Sequence, residues 1–214
     1  MVGLNLKAKR RIGLFGGAFD PPHLAHRRLA QTAVEQFELD ELRILPTGDA
    51  WHKSRALSDA KHRLAMTRLA FADVPRVVVD AREIARVGPS YTVDTLEALQ
   101  REQPETDWWL FIGEDQARRF TTWHRWSSIL TLAQVVVAAR ADAAGKDQAS
   151  TPVHDRQWHN AWPKPASQLA MPPIEISATR IREVISKGQD ASAWLTAAVL
   201  QYIQQHHLYT ASHE

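Results

Sequence analysis

Two histidines, His23 and His26, stand three residues apart behind a glycine pair and a proline pair. Their stretch, residues 13–26, has the sequence GLFGGAFDPPHLAH. A helix that begins near Pro22 would place both imidazoles on one side of its first turn. Free backbone N–H groups and the helix dipole attract anions there, and an imidazole can donate a hydrogen bond to a phosphate oxygen. The pattern therefore predicts a phosphate-binding site.

Three residues before the histidines have two possible functions each. Gly16 and Gly17 follow a predicted strand, where missing side chains let a backbone approach a ligand and permit positive φ, although such a pair is often only a turn. Asp20 either forms the turn or contacts the ligand. The spacing fits neither G-x-x-x-x-G-K-[ST] nor G-x-G-x-x-G, so the predicted phosphate site is of another kind. Zinc binding is disfavoured because no third ligand stands nearby in the sequence.

Short apolar runs alternate with helical patterns along the chain, which predicts an α/β protein with a Rossmann-like open parallel sheet and helices on both faces. The predicted strands are residues 11–15, 41–45, 76–80, 108–113 and 134–140, and the predicted helices are 23–37, 58–73, 90–102, 126–133, 178–188 and 193–207. We expect one domain over residues 1–214, with a helical C-terminal part at about 172–210. Residues 141–168 show no clear period.

Helical spacing predicts which side chains face the sheet. In the first three helices these are Leu29, Ala33, Val34 and Phe37, then Leu64, Ala65 and Leu69 behind an N-cap at Ser58, and then Val93, Leu96 and Leu99. Ligands of open parallel sheets bind beyond the carboxyl ends of the strands. We therefore expect three stretches to share one crevice: GGAFDPPHLAH, PTGDAWHK with His52 and Lys53, and GEDQ with Asp115.

Composition narrows the functional classes. The chain has 214 residues, a formal charge of +2 and no cysteine, so disulfides and thiolate metal sites are excluded. A small net charge, with tryptophans that do not interleave with a basic run, disfavours nucleic-acid binding. No apolar run approaches the roughly 18 residues of a membrane span. These features predict a cytoplasmic protein that acts on small molecules without a membrane or a nucleic-acid partner.

Four ordered motifs carry a family resemblance that extends from Arg11 to about Leu208. Residues 13–26 resemble the GGTFDPxHxGH signature of nucleotidyltransferases in the adenylyltransferase group, and most closely that of the bacterial nicotinate-nucleotide adenylyltransferases. GPSYTVDTL is similar to the PSYTxxTL motif of that family, and FIGEDQARRFTTWHRWSSIL to its GxDxxxxFxxW region. ISATRIR is similar to its ISxTxxR motif.

The resemblance implies an enzyme of NAD biosynthesis. The family joins nicotinate mononucleotide to the adenylyl part of ATP and releases pyrophosphate, which gives deamido-NAD. The attacking group is the phosphate of the substrate, so no nucleophilic side chain is needed, and positioning with charge stabilisation carries the catalysis. The resemblance also implies Mg²⁺, held mostly by phosphates and water rather than by a dedicated carboxylate cage.

The resemblance assigns the phosphate-binding roles as follows. His23 and His26 would bind the ATP phosphates, with His26 stabilising the transition state, and Gly16 and Gly17 would let the backbone approach the nucleotide. Arg182 would clamp pyrophosphate beside Ser177 and Thr179, which stand at a helix start and could equally form a plain N-cap. His52 and Lys53 are expected near phosphate, although Trp51 stands where the family commonly has proline.

The remaining roles concern the two substrates. Gly113 and Asp115 would lie near the adenosine, unless Asp115 only occupies a helix N-terminus. Tyr91, Thr92 and Trp123 would line the pyridine pocket, with the Trp123 ring stacked on the nicotinate, although aromatic side chains beside a helix often pack in a core. This chain departs from the family at Ala18, Ala25 and Ala178, none of which removes a charged or histidine role.

Two alternatives to the implied activity stay open. The acceptor could instead be nicotinamide mononucleotide, phosphopantetheine or another phosphorylated small molecule, because only PSYT and TTWHRW connect the chain to the acid form. A non-catalytic nucleotide-binding regulator on the same fold is the second alternative, and the presence of every expected phosphate-binding residue type disfavours it.

Overall fold

One sheet organises the residues that the computed structural model describes, which are 8–48, 57–138, 162, 166–172 and 174–210. Its six strands are β1 (Arg10–Gly17), β2 (Glu41–Pro46), β3 (Val77–Val79), β4 (Thr106–Gly113), β5 (Gln134–Ala138) and β6 (Ser167–Leu169). Every neighbouring pair is parallel, in the order β3-β2-β1-β4-β5-β6. The predicted open parallel sheet is confirmed, and the chain changes its direction of winding between β1 and β4.

Helices follow most of the strands. Those in the described part are α1 (Leu24–Gln36), α2 (Ala60–Phe71), α3 (Arg82–Ala85), α4 (Thr92–Glu102), α5 (Glu114–Ala117), α6 (Trp126–Leu132), α7 (Ala178–Ser186) and α8 (Ala197–Gln205), with 3₁₀ turns at Phe120–Thr122 and Ser192–Trp194. None of these helices has the length and the apolar character that a membrane crossing requires.

The sheet is covered on both faces because alternate residues of each strand point to opposite sides. Phe15 of β1 belongs to a buried cluster with side chains of α1, α2, α7 and α8. Ile12 and Leu14 belong to a second cluster with side chains of α4 and α6. The predicted placement of helices on both faces is therefore confirmed. Gly13 keeps the sheet tightly packed, since a Cβ there would lie 2.6 Å from a methyl carbon of Leu42.

The predicted inward faces are confirmed for α1 and α4 and only in part for α2. Leu29, Ala33, Val34, Val93, Leu96 and Leu99 are buried, and Phe37 packs against the first cluster. In α2 the buried residues are Arg63, Met66, Thr67, Ala70 and Phe71. Leu69 is half-buried and packs against the first cluster as predicted, whereas Leu64 and Ala65 are half-buried outside it. Arg63 can be buried because it finds hydrogen-bond partners inside the protein, which apolar spacing cannot reveal.

Three boundaries also differ from the predictions. Asp59, not Ser58, caps α2, accepting a hydrogen bond from the Lys61 N–H at 3.0 Å. The helix predicted over 193–207 is split, because Thr196 caps α8 by accepting from the Val199 N–H at 3.3 Å. Strand β6 lies at the end of the segment that showed no period.

The edge strand β6 is joined to α1 by one side chain. The Gln36 amide nitrogen donates to the Gln168 carbonyl at 2.9 Å, and the Gln36 carbonyl oxygen accepts from the Ala170 N–H at 2.8 Å. A primary amide offers N–H donors and a carbonyl acceptor, the same two kinds of group that a strand backbone offers. Gln36 therefore occupies hydrogen-bonding groups of the backbone at this edge.

Candidate active site

The turn after β1 begins with glycines that leave room above the sheet. Among the described residues that do not adjoin it in the chain, a Cβ on Gly16 would meet only the Leu45 carbonyl oxygen within 4 Å, at 3.9 Å. A Cβ on Gly17 would lie 3.1 Å from the Phe19 ring. Neither glycine has a positive φ, so that part of the prediction is wrong; the left-handed residue of the turn is Phe19, with φ 49°. What Gly16 provides is open space at the end of the central strand.

His23 and His26 lie at the start of α1, as the spacing predicts. His23 is the N-cap residue, and its backbone N–H donates to Nδ1 of His26 at 3.2 Å. The two rings stack with centroids 3.7 Å apart, and the His26 ring also packs edge-on against Phe19 at 5.1 Å. Because Nδ1 of His26 is an acceptor, the neutral imidazole carries its proton on Nε2. His26 is thus held in one orientation with a defined donor.

Asp20 connects the turn to distant parts of the chain. Its side chain is 2% exposed and accepts hydrogen bonds from the Ser58 N–H at 3.2 Å and the Tyr209 hydroxyl at 2.6 Å. Burial, followed by the charge of Asp20, raises the pKa of Tyr209 well above its usual value, so the hydroxyl remains a donor. These protein partners favour the turn-forming alternative for Asp20 over direct ligand contact.

The second predicted anion site lies against the first. Arg182 donates from Nη1 to the Asp20 carbonyl at 2.7 Å and from Nη2 to Thr179 Oγ1 at 3.1 Å. Ser177 is the N-cap of α7 and accepts from the Arg180 N–H at 3.2 Å. The structure therefore brings ISATRIR beside the turn after β1, and it also gives Ser177 the plain capping contact that was its alternative role.

Arg63 is a buried residue of this region that the sequence did not indicate. Its side chain donates to four backbone carbonyls: Ser58 at 3.0 Å, Ala18 at 3.0 Å, Thr47 at 2.7 Å and Gly48 at 3.2 Å. These carbonyls belong to the turns after β1 and β2 and to the residues before α2. Arg63 therefore fixes two strand-end turns relative to each other. The sequence carries no signal for this role, because the partners of Arg63 are backbone carbonyls.

Asp20, His23, His26, Arg63 and Arg182 together form what we call the turn cluster. Its members come from the turn after β1, from α1, from α2 and from α7. Three of them are no more than 6% exposed: Asp20, His23 and Arg63. The arrangement places imidazole and guanidinium donors at the carboxyl end of the central strand, which is where anionic ligands of this sheet type bind.

A second group, the aromatic cluster, consists of Tyr91, Thr92, Trp123 and His124. Tyr91 is the N-cap residue of α4 and Thr92 its first residue. The Tyr91 and His124 rings have centroids 4.4 Å apart, and the Trp123 ring lies 5.3 Å from that of Phe120. Tyr91 and Trp123 are half-buried against the second hydrophobic cluster. Trp123 thus makes the core contact that was the alternative to ligand stacking. Part of its ring nevertheless stays exposed.

Glu83 and Gly48 lie behind the start of α4 and were also missed. Glu83 is 7% exposed, and its Oε1 accepts from the Thr95 hydroxyl at 3.0 Å. Burial raises the pKa of Glu83, and the Thr95 hydrogen bond partly opposes this. A Cβ on Gly48 would lie 2.3 Å from the Glu83 carbonyl oxygen. Glycine at 48 therefore lets the turn after β2 pack directly on α3.

The end of β4 supplies Gly113 and Asp115. Gly113 precedes α5, and a Cβ there would lie more than 4 Å from every described residue that does not adjoin it in the chain. Asp115 is exposed in the first turn of α5. Its neighbour Glu114 is buried and accepts from Arg118 at 2.7 Å. Asp115 is therefore the acid of this turn that faces solvent, in keeping with either of its predicted functions.

Two of the predicted phosphate-binding residues, His52 and Lys53, lie outside the described residues. A search of the described ranges finds no group of three or more His, Asp or Glu side chains that could hold a metal ion. The imidazole and guanidinium donors of the turn cluster are nitrogen groups suited to anions.

Comparison with known proteins gives consistent family matches. The cytidylyltransferase-like family model matches residues 14–184. A probable nicotinate-nucleotide adenylyltransferase of Albidiferax ferrireducens is 48% identical over 204 residues, which are 94% of this chain and 98% of the relative. One of Methylibium petroleiphilum is 40% identical over 210 residues, covering 96% and 95% of the two chains.

Solved structures share the fold at lower identity. Plasmodium falciparum nicotinic acid mononucleotide adenylyltransferase complexed with NaAD superposes with a TM-score of 0.74 at 16% identity, covering 94% of this chain and 97% of the other. A putative nicotinate-nucleotide adenylyltransferase from Vibrio parahaemolyticus gives a TM-score of 0.64 at 21% identity, covering 94% and 95%. The predicted nucleotidyltransferase type of the sheet is confirmed.

Proposed function

Since the chain belongs to the nicotinate-nucleotide adenylyltransferases within the cytidylyltransferase-like family, we propose that it transfers the adenylyl group of ATP to nicotinate mononucleotide. The products are deamido-NAD and pyrophosphate, and the reaction belongs to NAD biosynthesis. We also propose that residues 1–214 act as one domain, in the cytoplasm, where a chain with no cysteine is well suited.

One observation carries the proposal for the site. Two motifs about 160 residues apart meet where the Arg182 guanidinium donates to the Asp20 carbonyl at 2.7 Å. This contact sets a fixed cation beside the turn that leads into α1. A polyphosphate needs several donors that converge on one place, and this geometry supplies them before any ligand binds.

The reaction can be written on these residues. A phosphate oxygen of nicotinate mononucleotide attacks the α-phosphorus of ATP, a new P–O bond forms, and the bond to the β-phosphate oxygen breaks with release of pyrophosphate. The Nε2–H of His26 and the N–H groups at the start of α1 donate to phosphate oxygens as charge develops there. Arg182 binds the departing pyrophosphate, beside Thr179.

The acceptor binds on the aromatic cluster in this proposal. The partly exposed Trp123 ring stacks on the pyridine, and Thr92, at the start of α4, supplies a hydroxyl or a backbone N–H to the nicotinate carboxylate. Gly113 and Asp115 lie near the adenosine, and Gly16 and Gly17 lie under the nucleotide. His52 and Lys53 belong to the phosphate-binding part of the site.

Mg²⁺ accompanies ATP in this proposal and is held by phosphate oxygens and water. The donor set agrees with such an ion, because the turn cluster offers cations to the phosphates and its one carboxylate, Asp20, already accepts from Ser58 and Tyr209. The ion neutralises part of the triphosphate charge when it is bound.

A pyrophosphate-release assay with ATP tests the proposed function. The acceptors are nicotinate mononucleotide, nicotinamide mononucleotide and phosphopantetheine at equal concentrations. We expect the highest kcat/KM with nicotinate mononucleotide. A preference for another acceptor would reassign the substrate, and ATP binding without pyrophosphate release from any acceptor would contradict an enzymatic function.

A further inference from the structure

The segment that follows α8 returns to the turn after β1. His207 and Tyr209 both have left-handed backbone conformations, with φ of 48° and 63°, which side chains larger than glycine adopt infrequently. The Leu208 N–H donates back to the Ile203 carbonyl at 3.0 Å. This bend carries the Tyr209 hydroxyl to 2.6 Å from Oδ1 of Asp20. The end of the described chain is thereby joined to the turn cluster.

Asp20 accepts hydrogen bonds from three different segments of the chain. Tyr209 donates to Oδ1, the Ser58 N–H to Oδ2, and Arg182 to the backbone carbonyl. A carboxylate that is 2% exposed needs such donors, since losing one leaves a buried charge partly unsolvated. The side chain of Asp20 is therefore anchored to Tyr209 and Ser58, while the carbonyl of the same residue anchors Arg182.

Resting on the proposed function, we infer that Tyr209 is a positioning residue for adenylyl transfer. Its hydroxyl fixes the Asp20 side chain, and Asp20 in turn holds Arg182 and the turn that leads into His23. Tyr209 contacts Asp20 and does not need to contact either substrate. Its contribution is realised in the transition state, because the groups it orients act on charge that develops during transfer.

Another tyrosine provides a matched control. The Tyr202 hydroxyl lies 3.0 Å from Nδ1 of His62, linking α8 to α2. This contact also joins the C-terminal region to the rest of the protein, but its partner is not a member of the turn cluster. Tyr202→Phe therefore measures what the loss of a tyrosine hydroxyl in this region does to stability alone.

The experiment compares Tyr209→Phe with Tyr202→Phe in the full chain, measuring Tm, kcat and both KM values with ATP and nicotinate mononucleotide. We expect Tyr209→Phe to lower kcat by about 10- to 100-fold, the range for a lost hydrogen bond to a charged group, with KM values within about 3-fold. Tyr202→Phe keeps the kcat of the wild type. Equal kcat values for Tyr209→Phe and the wild type would overturn the inference, as would parallel losses in both variants.

A double-mutant cycle with Asp20→Asn keeps the test independent of overall stability. If Tyr209 acts through Asp20, adding Tyr209→Phe to Asp20→Asn lowers kcat by much less than it does alone. Additive losses would contradict the inference. Failure of the proposed function is distinguishable, since the wild type would then release no pyrophosphate, whereas failure of this inference leaves the wild type active.

Discussion

The two halves of the site are held in place by different forces. The turn cluster is fixed by buried hydrogen bonds: Arg63 donates to four carbonyls, and Asp20 joins three segments. The aromatic cluster is held by ring contacts, such as the 4.4 Å pair of Tyr91 and His124, at a helix start where Tyr91 makes no side-chain capping bond.

This difference matches what each half has to recognise. Phosphate charge must be met by donors that do not reorganise during the reaction, which requires a rigid and polar surrounding. A pyridine ring is recognised by an apolar face and a few polar groups, and half-buried aromatic side chains supply these. We therefore expect changes in the turn cluster to act mainly on kcat and changes in the aromatic cluster to act mainly on the KM of the acceptor.

The largest effect is expected from His26→Ala, which removes the oriented Nε2 donor. Loss of one preorganised donor costs about 10²–10³ in kcat, with little change in Tm because the ring is only half-buried. His26→Gln, whose amide nitrogen can replace Nε2, should recover part of the rate. A fully active His26→Ala enzyme would refute the role of the turn cluster.

Arg63→Lys tests whether rigidity of the turn cluster matters. An ammonium cannot serve four carbonyls in the geometry of a guanidinium, so both strand-end turns shift and we expect kcat to fall about 10- to 100-fold. The control is Arg43→Lys, a buried arginine on β2 that pairs with Glu41 at 2.6 Å. Equal kcat values for Arg63→Lys and Arg43→Lys would show that the two strand-end turns keep their positions without Arg63.

Trp123→Ala addresses the aromatic cluster. Ring stacking contributes about 1–3 kcal/mol, so we expect the acceptor KM to rise about 10-fold or more while the ATP KM stays constant. Trp123→Phe retains a ring, so its acceptor KM should lie between those of the wild type and Trp123→Ala. If ATP and acceptor KM values rose together, the division of the site into two halves would be wrong.

Gly16→Ala distinguishes a glycine kept for a ligand from one kept for the fold. A Cβ at 16 has room in the protein, whereas one at 13 would come within 2.6 Å of Leu42. Gly16→Ala should therefore leave Tm unchanged and raise the ATP KM about 10-fold. Gly13→Ala should lower stability by about 1–3 kcal/mol. An unchanged ATP KM in Gly16→Ala would show that the end of β1 is not part of the nucleotide site.

The smallest effect concerns Glu83, behind the aromatic cluster. Its folded pKa is raised by burial, so the stability it contributes is present below its unfolded pKa and is lost as pH rises above it. We expect Glu83→Gln to be more stable than the wild type near pH 7, with the difference disappearing below about pH 4. Thermal unfolding across pH measures this, with the exposed Glu105→Gln as control; a difference that does not vary with pH would contradict it.

Much of this architecture could be predicted from apolar spacing, because each buried strand and helix has its own local pattern. The sheet order places GGAFDPPHLAH near ISATRIR, and the motifs indicated the residues that meet there. Arg63, Glu83 and Tyr209 could not be found in this way. Their partners are backbone carbonyls, a threonine and an aspartate 189 residues away, and such contacts leave no periodic signal.

The amide of Gln36 has a consequence for strand pairing at the edge of the sheet. An edge strand presents open N–H and C=O groups that a strand from another molecule can pair with, which is a common route to aggregation. At β6 the Gln36 side chain takes up the Gln168 carbonyl and the Ala170 N–H, as a neighbouring strand would. An added strand would therefore have to displace the Gln36 side chain in order to pair with these two backbone groups.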